Sequence, residues 1–240
     1  MKSKLLILLF LFVTSLCWAQ NTHFWDGIED FDGPTDENPV LAAQLDFYFD
    51  KMVAPLPDSI TMEIDRLVER TDFNPDLRDF ILWHLLEKYR HPEYMTQDQV
   101  FVYLYDRYFS HLEIKDLNAA NLAMIREKAE RLRRLALFQS APDINIGDSN
   151  LQSVESNFTA LFFFDHDCDV CKLERQDLDS IVEQHPEIRV LAIDINTDDV
   201  RVDELYDLYD IETTPLIYVL DGDKRIIAKK IRAKQIPLLL

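Results

Sequence analysis

The chain is 240 residues long, 48% apolar and 29% charged, with a formal net charge of −19 at pH 7. A field of that sign repels phosphate backbones and anionic lipid headgroups, which argues against nucleic acid as a partner and against binding to a membrane surface. The length suffices to bury one large core or two modest ones.

Met1 to Ala19 carries Lys2 and Lys4, an unbroken apolar stretch from Leu5 to Val13 and a tail ending Trp18-Ala19-Gln20. This reads as a cleavable secretory signal, residues 1–19, cut after the small Ala19 and too short for a typical spanning helix. Cys17 raises the alternative of a lipoprotein, against which the bulky Leu16 speaks. The product is expected to be periplasmic or otherwise extracytoplasmic. No later run is long and apolar enough to cross a bilayer, so no direct membrane insertion is expected after cleavage. Only Cys168 and Cys171 then remain, and an exported chain with a single close dithiol fits a redox tool better than a stapled scaffold.

Residues 20–38 form an acidic leader with Phe24, Trp25 and Phe31 around Gly27, Gly33 and Pro34. Asp26, Glu29, Asp30 and Asp32 lack the spacing of an EF-hand loop, so a solvated leader pinned by aromatics is expected.

Residues 39–139 read as an all-helical domain. Leu41, Leu45, Phe49 and Met52 make one apolar stripe; Ile60, Ile64, Leu67 and Val68 make another, with Asp58 or Ser59 available as its N-cap. Asn74-Pro75 opens a third helix, Leu77 to Tyr89, apolar nearly all round and so central. Gln99 to Phe109 has strand propensity, but helical neighbours favour a helix. Leu117 to Phe138 is long, with Leu122, Ile125, Ala129, Leu132 and Ala136 inward and a basic face including Arg126, Lys128, Arg133 and Arg134. On so acidic a chain that face reads as solvated and paired with acids. His84 and His91 are seven apart, not the four of a zinc helix, and read as a packed and a helix-end histidine.

Gln139-Ser140-Ala141-Pro142-Asp143 marks the change to alternating strands and helices over residues 140–240. A short hairpin is expected from Ile144 to Ile146 and Leu151 to Val154 around Gly147-Asp148-Ser149-Asn150. Then come a strand Thr159 to Phe164, a helix from Cys171 to about Gln184, a strand Arg189 to Ile195 and a helix Val200 to Tyr209. Strands Leu216 to Leu220 and Arg225 to Ile231 close the chain around a turn at Asp221-Gly222-Asp223. This βαβαββ order is that of a thioredoxin-like α/β fold.

The chemistry-bearing stretch is Leu161 to Lys172, where an apolar strand delivers Cys168-Asp169-Val170-Cys171 to the start of a helix. A thiol attacks a disulfide as its thiolate, and unfilled N–H groups at a helix N-terminus stabilise that anion. Cys171, Leu178 and Val182 fall on one inward helical face. Cys168 is therefore the expected nucleophile and Cys171 the sheltered thiol that resolves the mixed disulfide.

With Ala141-Pro142-Asp143 opening the domain, Cys168 to Cys171 after the strand and Thr213-Thr214-Pro215 before the next-to-last strand, the chain resembles the thioredoxin superfamily, specifically exported TlpA/ResA-like thiol-disulfide oxidoreductases. The resemblance covers residues 141–240, and the preceding helical domain also looks like that of some exported thioredoxin-like proteins. It implies a cis Pro215 lying against the dithiol, with Thr214 and Pro215 contacting a substrate strand. It also implies protein disulfides as substrates and a membrane electron donor as partner, with neither cofactor nor metal.

The pair encloses Asp-Val, and Asp167 replaces the family's aromatic. Asp167 and Asp169 oppose thiolate formation at Cys168, while a protonated His166 would favour it, so a reductant is preferred over a strong oxidase. Phe162 stands where thioredoxins carry a buried acid that handles the resolving cysteine's proton; Asp165 is the nearest replacement in sequence. The closing helix beginning near Ile236 is either one to two turns long or continues beyond Leu240. Two other classes stay open. One is a redox-inactive binding or scaffold protein whose helical domain recognises a partner. The other is a metal site using His166, Cys168 and Cys171, with His185 as the fourth ligand.

Overall fold

The structure is a computed structural model that describes residues 24–28, 38–146, 149–197 and 201–240. The expected signal, Cys17, most of the leader with Phe31, and the Gly147-Asp148 turn lie outside the described residues. None of the described helices is long and apolar enough to cross a membrane.

The chain forms two compact units, Met1–His91 with Leu112–Asp116, and Pro92–His111 with Leu117–Leu240. In the first unit, α1 (Pro39–Lys51) starts where the Asn38 side chain accepts the N–H groups of Val40 and Leu41 at 3.1 and 3.0 Å. It buries Leu41, Leu45, Tyr48 and Phe49, with Trp25 of the leader packed edge-on against Tyr48. Helix α2 (Pro57–Thr71) buries Ile60, Ile64, Leu67 and Val68 as their spacing requires, and the Tyr48 hydroxyl donates to Glu63 at 2.8 Å. Neither Asp58 nor Ser59 caps α2: proline at the first helical position sets the backbone and moves the start to Pro57, with Leu56 at the N-cap.

Helix α3 (Pro75–Arg90), capped by Asn74, buries Leu77, Ile81, Leu82, Leu85, Leu86 and Tyr89. Asp79 is buried among them because its carboxylate accepts from Arg78 and from the Lys115 N–H, both at 2.8 Å, which fastens Leu112–Asp116 to the helix. His84 stacks on Phe80 and meets Asp46 at 3.0 Å, a packed histidine as its spacing suggested, and His91 ends the helix.

In the second unit, α4 (Asp98–Leu104) runs into a π-helical turn, Tyr105–Phe109, and packs against α5 (Ala119–Arg134). Strands β1 (Asn145–Ile146) and β2 (Ser149–Asn150) form the small hairpin; Leu151–Ser153 is a 3₁₀ turn, not the strand expected there. Strand β3 (Phe158–Phe164) leads to α6 (Asp169–Gln184), followed by β4 (Ile188–Asp194), α7 (Arg201–Leu208), β5 (Leu216–Leu220), β6 (Ile226–Lys229) and a closing 3₁₀ helix, Ala233–Leu238. The sheet order is β4-β3-β5-β6, with β4 parallel to β3 and β5 and β6 antiparallel to their neighbours.

Alternation along β3 splits its side chains between two cores. Ala160 and Phe162 pack with Cys171, Leu178, Ile217 and Ile236 on one face; Leu161 and Phe163 pack with Tyr209, Tyr218 and Leu135 on the other.

Leu135, which ends α5, belongs to the sheet's own core. The compact division therefore does not fall at the 139/140 composition break that separates helical from alternating sequence: α4 and α5 belong to the unit of the sheet. Two buried ion pairs explain this. Lys128 of α5 reaches Asp210 at 3.0 Å, and Lys229 of β6 meets the Asp98 carboxylate of α4 and donates to the Leu135 carbonyl at 2.6 Å. Lys128 thus leaves the basic face assigned to it by charge and lies only 5% exposed, whereas Arg133 pairs on the surface with Asp106.

Removing one partner of a buried pair strands the other charge. Asp98→Ala is expected to cost about 3–5 kcal/mol in urea unfolding, while Asp98→Leu combined with Lys229→Met keeps the parent's stability or exceeds it.

Candidate functional site

The site is built where β3 hands over to α6. Cys168 is the N-cap residue of α6, with extended backbone, and its sulfur accepts the Cys171 N–H at 3.1 Å. That places one sulfur, half-buried, among the unpaired N–H groups that begin a helix. Cys171 lies one turn on, on the inward face with Leu178, and is 1% exposed. Both are free thiols.

The Thr214–Pro215 bond is cis, and β5 begins directly after it at Leu216, paired with Phe163. This register carries Thr214 back to the end of β3, near the Cys171 sulfur. Burial raises the Cys171 thiol above its ordinary value, and the hydrogen bond and charge of Cys168 add to this. The Asp165 backbone N–H and the Thr214 hydroxyl oppose it. A sheltered thiol kept protonated until its neighbour has reacted suits a resolving role.

Asp165 meets Cys171 through its main chain. Its carboxylate is turned to solvent, accepting from Asn196 at 3.0 Å and from the Asp167 N–H at 2.8 Å, bonds that hold it below the usual carboxylate range. The β3–β4 register sets Phe164 beside Asp194, so the loops after both strands meet. There His166 Nδ1 contacts Asp194 at 2.8 Å, and Asp194 also accepts the Asn196 N–H. The hydrogen bond to Asp194, with the charges of Asp194, Asp167 and Asp165, raises His166 above its ordinary value and favours the imidazolium beside the dithiol.

Sequence reasoning did not find Asp194 and Asn196; the parallel alignment of two strands ending in Phe164 and Asp194 is the signal that locates them. It also missed Glu174, one turn beyond Cys171. This carboxylate is buried, accepts the Ala233 N–H and pairs with Arg232 at 2.7 Å, which anchors the closing helix over the dithiol's core. Phe162 is part of that core.

His185 does not join the cysteines. It caps the opposite end of α6, a helix of 16 residues and about 24 Å. Among the described residues no group of three or more His, Cys, Asp or Glu side chains is arranged to hold a metal ion.

Neither a protein-family model nor a curated protein matches the chain. Among solved structures it is similar to a thioredoxin-like protein from Bacteroides caccae, 13% identical, with a TM-score of 0.72 over 91% of this chain and 90% of that one. A domain of a possible thiol-disulfide isomerase from Cytophaga hutchinsonii is 27% identical over 44% of this chain and 90% of its own, with a TM-score of 0.39. A thioredoxin-like protein from Parabacteroides distasonis is 15% identical over 44% of this chain and 94% of its own, at 0.36. The fold is thus thioredoxin-like, with a mostly helical N-terminal region.

A raised histidine contributes stability that is fully present below its unfolded value near 6.5 and is lost as pH rises through the folded value. The melting temperature of the parent should therefore exceed that of His166→Gln more at pH 5.5 than at pH 9.

Proposed function

We propose that the chain is an extracytoplasmic thiol-disulfide oxidoreductase that reduces protein disulfides through Cys168 and Cys171. The observation that carries this reading is the Cys168 sulfur capping the helix and accepting the Cys171 N–H, with Cys171 buried one turn on and the cis Thr214–Pro215 bond at the start of the neighbouring strand. A dithiol kept only for packing has no need of one half-buried sulfur at a helix N-terminus and one fully sheltered, nor of a backbone loop beside them.

The Cys168 thiolate attacks one sulfur of the substrate disulfide, forming a mixed disulfide and expelling the other substrate sulfur as a thiolate. Cys171 passes its proton to the expelled substrate thiolate, directly or through water, and its thiolate attacks the Cys168 sulfur. The second substrate thiolate leaves, and the Cys168–Cys171 disulfide remains. Two electrons have passed to the substrate, and a membrane dithiol donor returns them to the enzyme in an exchange of the same kind. Thr214 and Pro215 contact the substrate strand during the attack. Export rests on Met1 to Ala19.

Insulin reduction with dithiothreitol as donor tests the assignment: Cys168→Ser is expected to remove the activity, and Cys171→Ser to accumulate mixed disulfides with its targets. Insulin reduction unaffected by Cys168→Ser would overturn the reading. A pair with no reversible potential in a redox titration would favour the scaffold alternative.

A further inference from the structure

Lys128, assigned by charge to a solvated basic face, is instead buried on the inward side of a helix that precedes the sheet. Its ammonium group contacts Asp210 at 3.0 and 3.3 Å and Glu212 at 2.5 Å, across 82 and 84 residues of chain. Lys230, just past β6, adds a second ammonium to Asp210 at 2.8 Å. Burial pushes the Asp210 carboxyl up, but Lys230 and Lys128 together hold it below the usual range, so it stays charged although its side chain is only 1% exposed.

Such an arrangement is a poor way to gain stability, since desolvating the charges costs about as much as their attraction returns. It fixes position. Asp210 and Glu212 open the segment that ends in Thr214 and Pro215, and a single residue, Thr213, separates the Glu212 anchor from Thr214. With at most about 3.6 Å of chain per residue, Thr214 has little freedom once Glu212 is held. Upstream, the fully buried Tyr209 donates to the Pro142 carbonyl at 2.6 Å and its own carbonyl accepts the Ile211 N–H at 2.9 Å.

We propose that Lys128 is a positioning residue: from α5 it holds Asp210 and Glu212, and through them it sets Thr214 and Pro215 against the dithiol and an incoming substrate strand. This rests on the oxidoreductase reading and assigns the helical segment of this unit a part in it.

The test uses the full chain in three variants. Lys128→Met removes the anchor, Lys128→Arg keeps its charge, and Glu212→Gln weakens it while sparing the buried Lys128–Asp210 pair, so that a folded variant is available. For Lys128→Met and Glu212→Gln, the KM for insulin should rise about fivefold or more while turnover of the small disulfide DTNB, which makes no strand contact, changes less than about twofold. Lys128→Arg should restore the parent KM. Parallel loss on both substrates, or an unchanged insulin KM in the folded variants, overturns the proposal.

A second readout needs no activity. In Cys168→Ser, the Cys171 thiol is titrated by NMR of ¹³C-labelled cysteine. Adding Glu212→Gln should raise its midpoint as the Thr214 hydroxyl withdraws, whereas loss of a negative charge alone would lower it; an unmoved or lowered midpoint overturns the proposal. If the parent reduces no disulfide, the oxidoreductase reading fails, and the titration alone decides whether Lys128 positions the loop.

Discussion

The architecture follows from one constraint: β3 is buried on both faces. Five successive residues, Thr159 to Phe163, are closed to solvent, so the sheet needs a cover on each side. Helix α6 and the closing 3₁₀ helix supply one. The other is assembled from α7, the hairpin region and Leu135 at the end of α5. The dithiol helix lies where it does because it is one of these covers, and its N-terminus meets the strand's end because the connection is only a few residues long. Helices α4 and α5, which precede the composition break, are drawn into the same unit because the second face would otherwise be open.

Charge enters this core under compulsion. A chain with so large an excess of acids buries Asp98, Asp210 and Glu174, each beside a base. Every one of these pairs reaches between elements far apart in sequence, which makes them fasteners of register more than sources of stability. Two fasten α4 and α5 to the sheet; the third fastens the closing helix to the dithiol helix. Two of these clasps stand a few residues from a group that meets substrate or sulfur in the proposed reaction: Asp210 four before Thr214, and Glu174 three after Cys171.

The periodic elements were legible in the sequence. Leu216 to Leu220 was read to the residue and β3 to within one, because runs of apolar residues bounded by turn chemistry have few alternatives. The dithiol, its helix and the Thr214–Pro215 bond could be read from spacing and resemblance. What escaped was whatever required two distant segments at once. Lys128 lies three residues after Ile125 and four before Leu132, so its period was inward, but its charge was allowed to decide. Glu174 stands three after Cys171 and four before Leu178, with the same lesson: on an amphipathic helix, a charged residue at an inward position calls for a partner, and the partner is not in the window being read. Asp194 and Asn196 became visible only when the register of β3 and β4 was known.

The bond between Lys229 and Asp98 spans 131 residues. Asp98 must wait for Lys229, and α5 waits similarly for Asp210. Such non-local closure raises contact order and slows folding. Until Asp210 and Lys229 arrive, the growing chain exposes a half-covered sheet and two thiols, and it is then that it most needs protection from aggregation and stray oxidation.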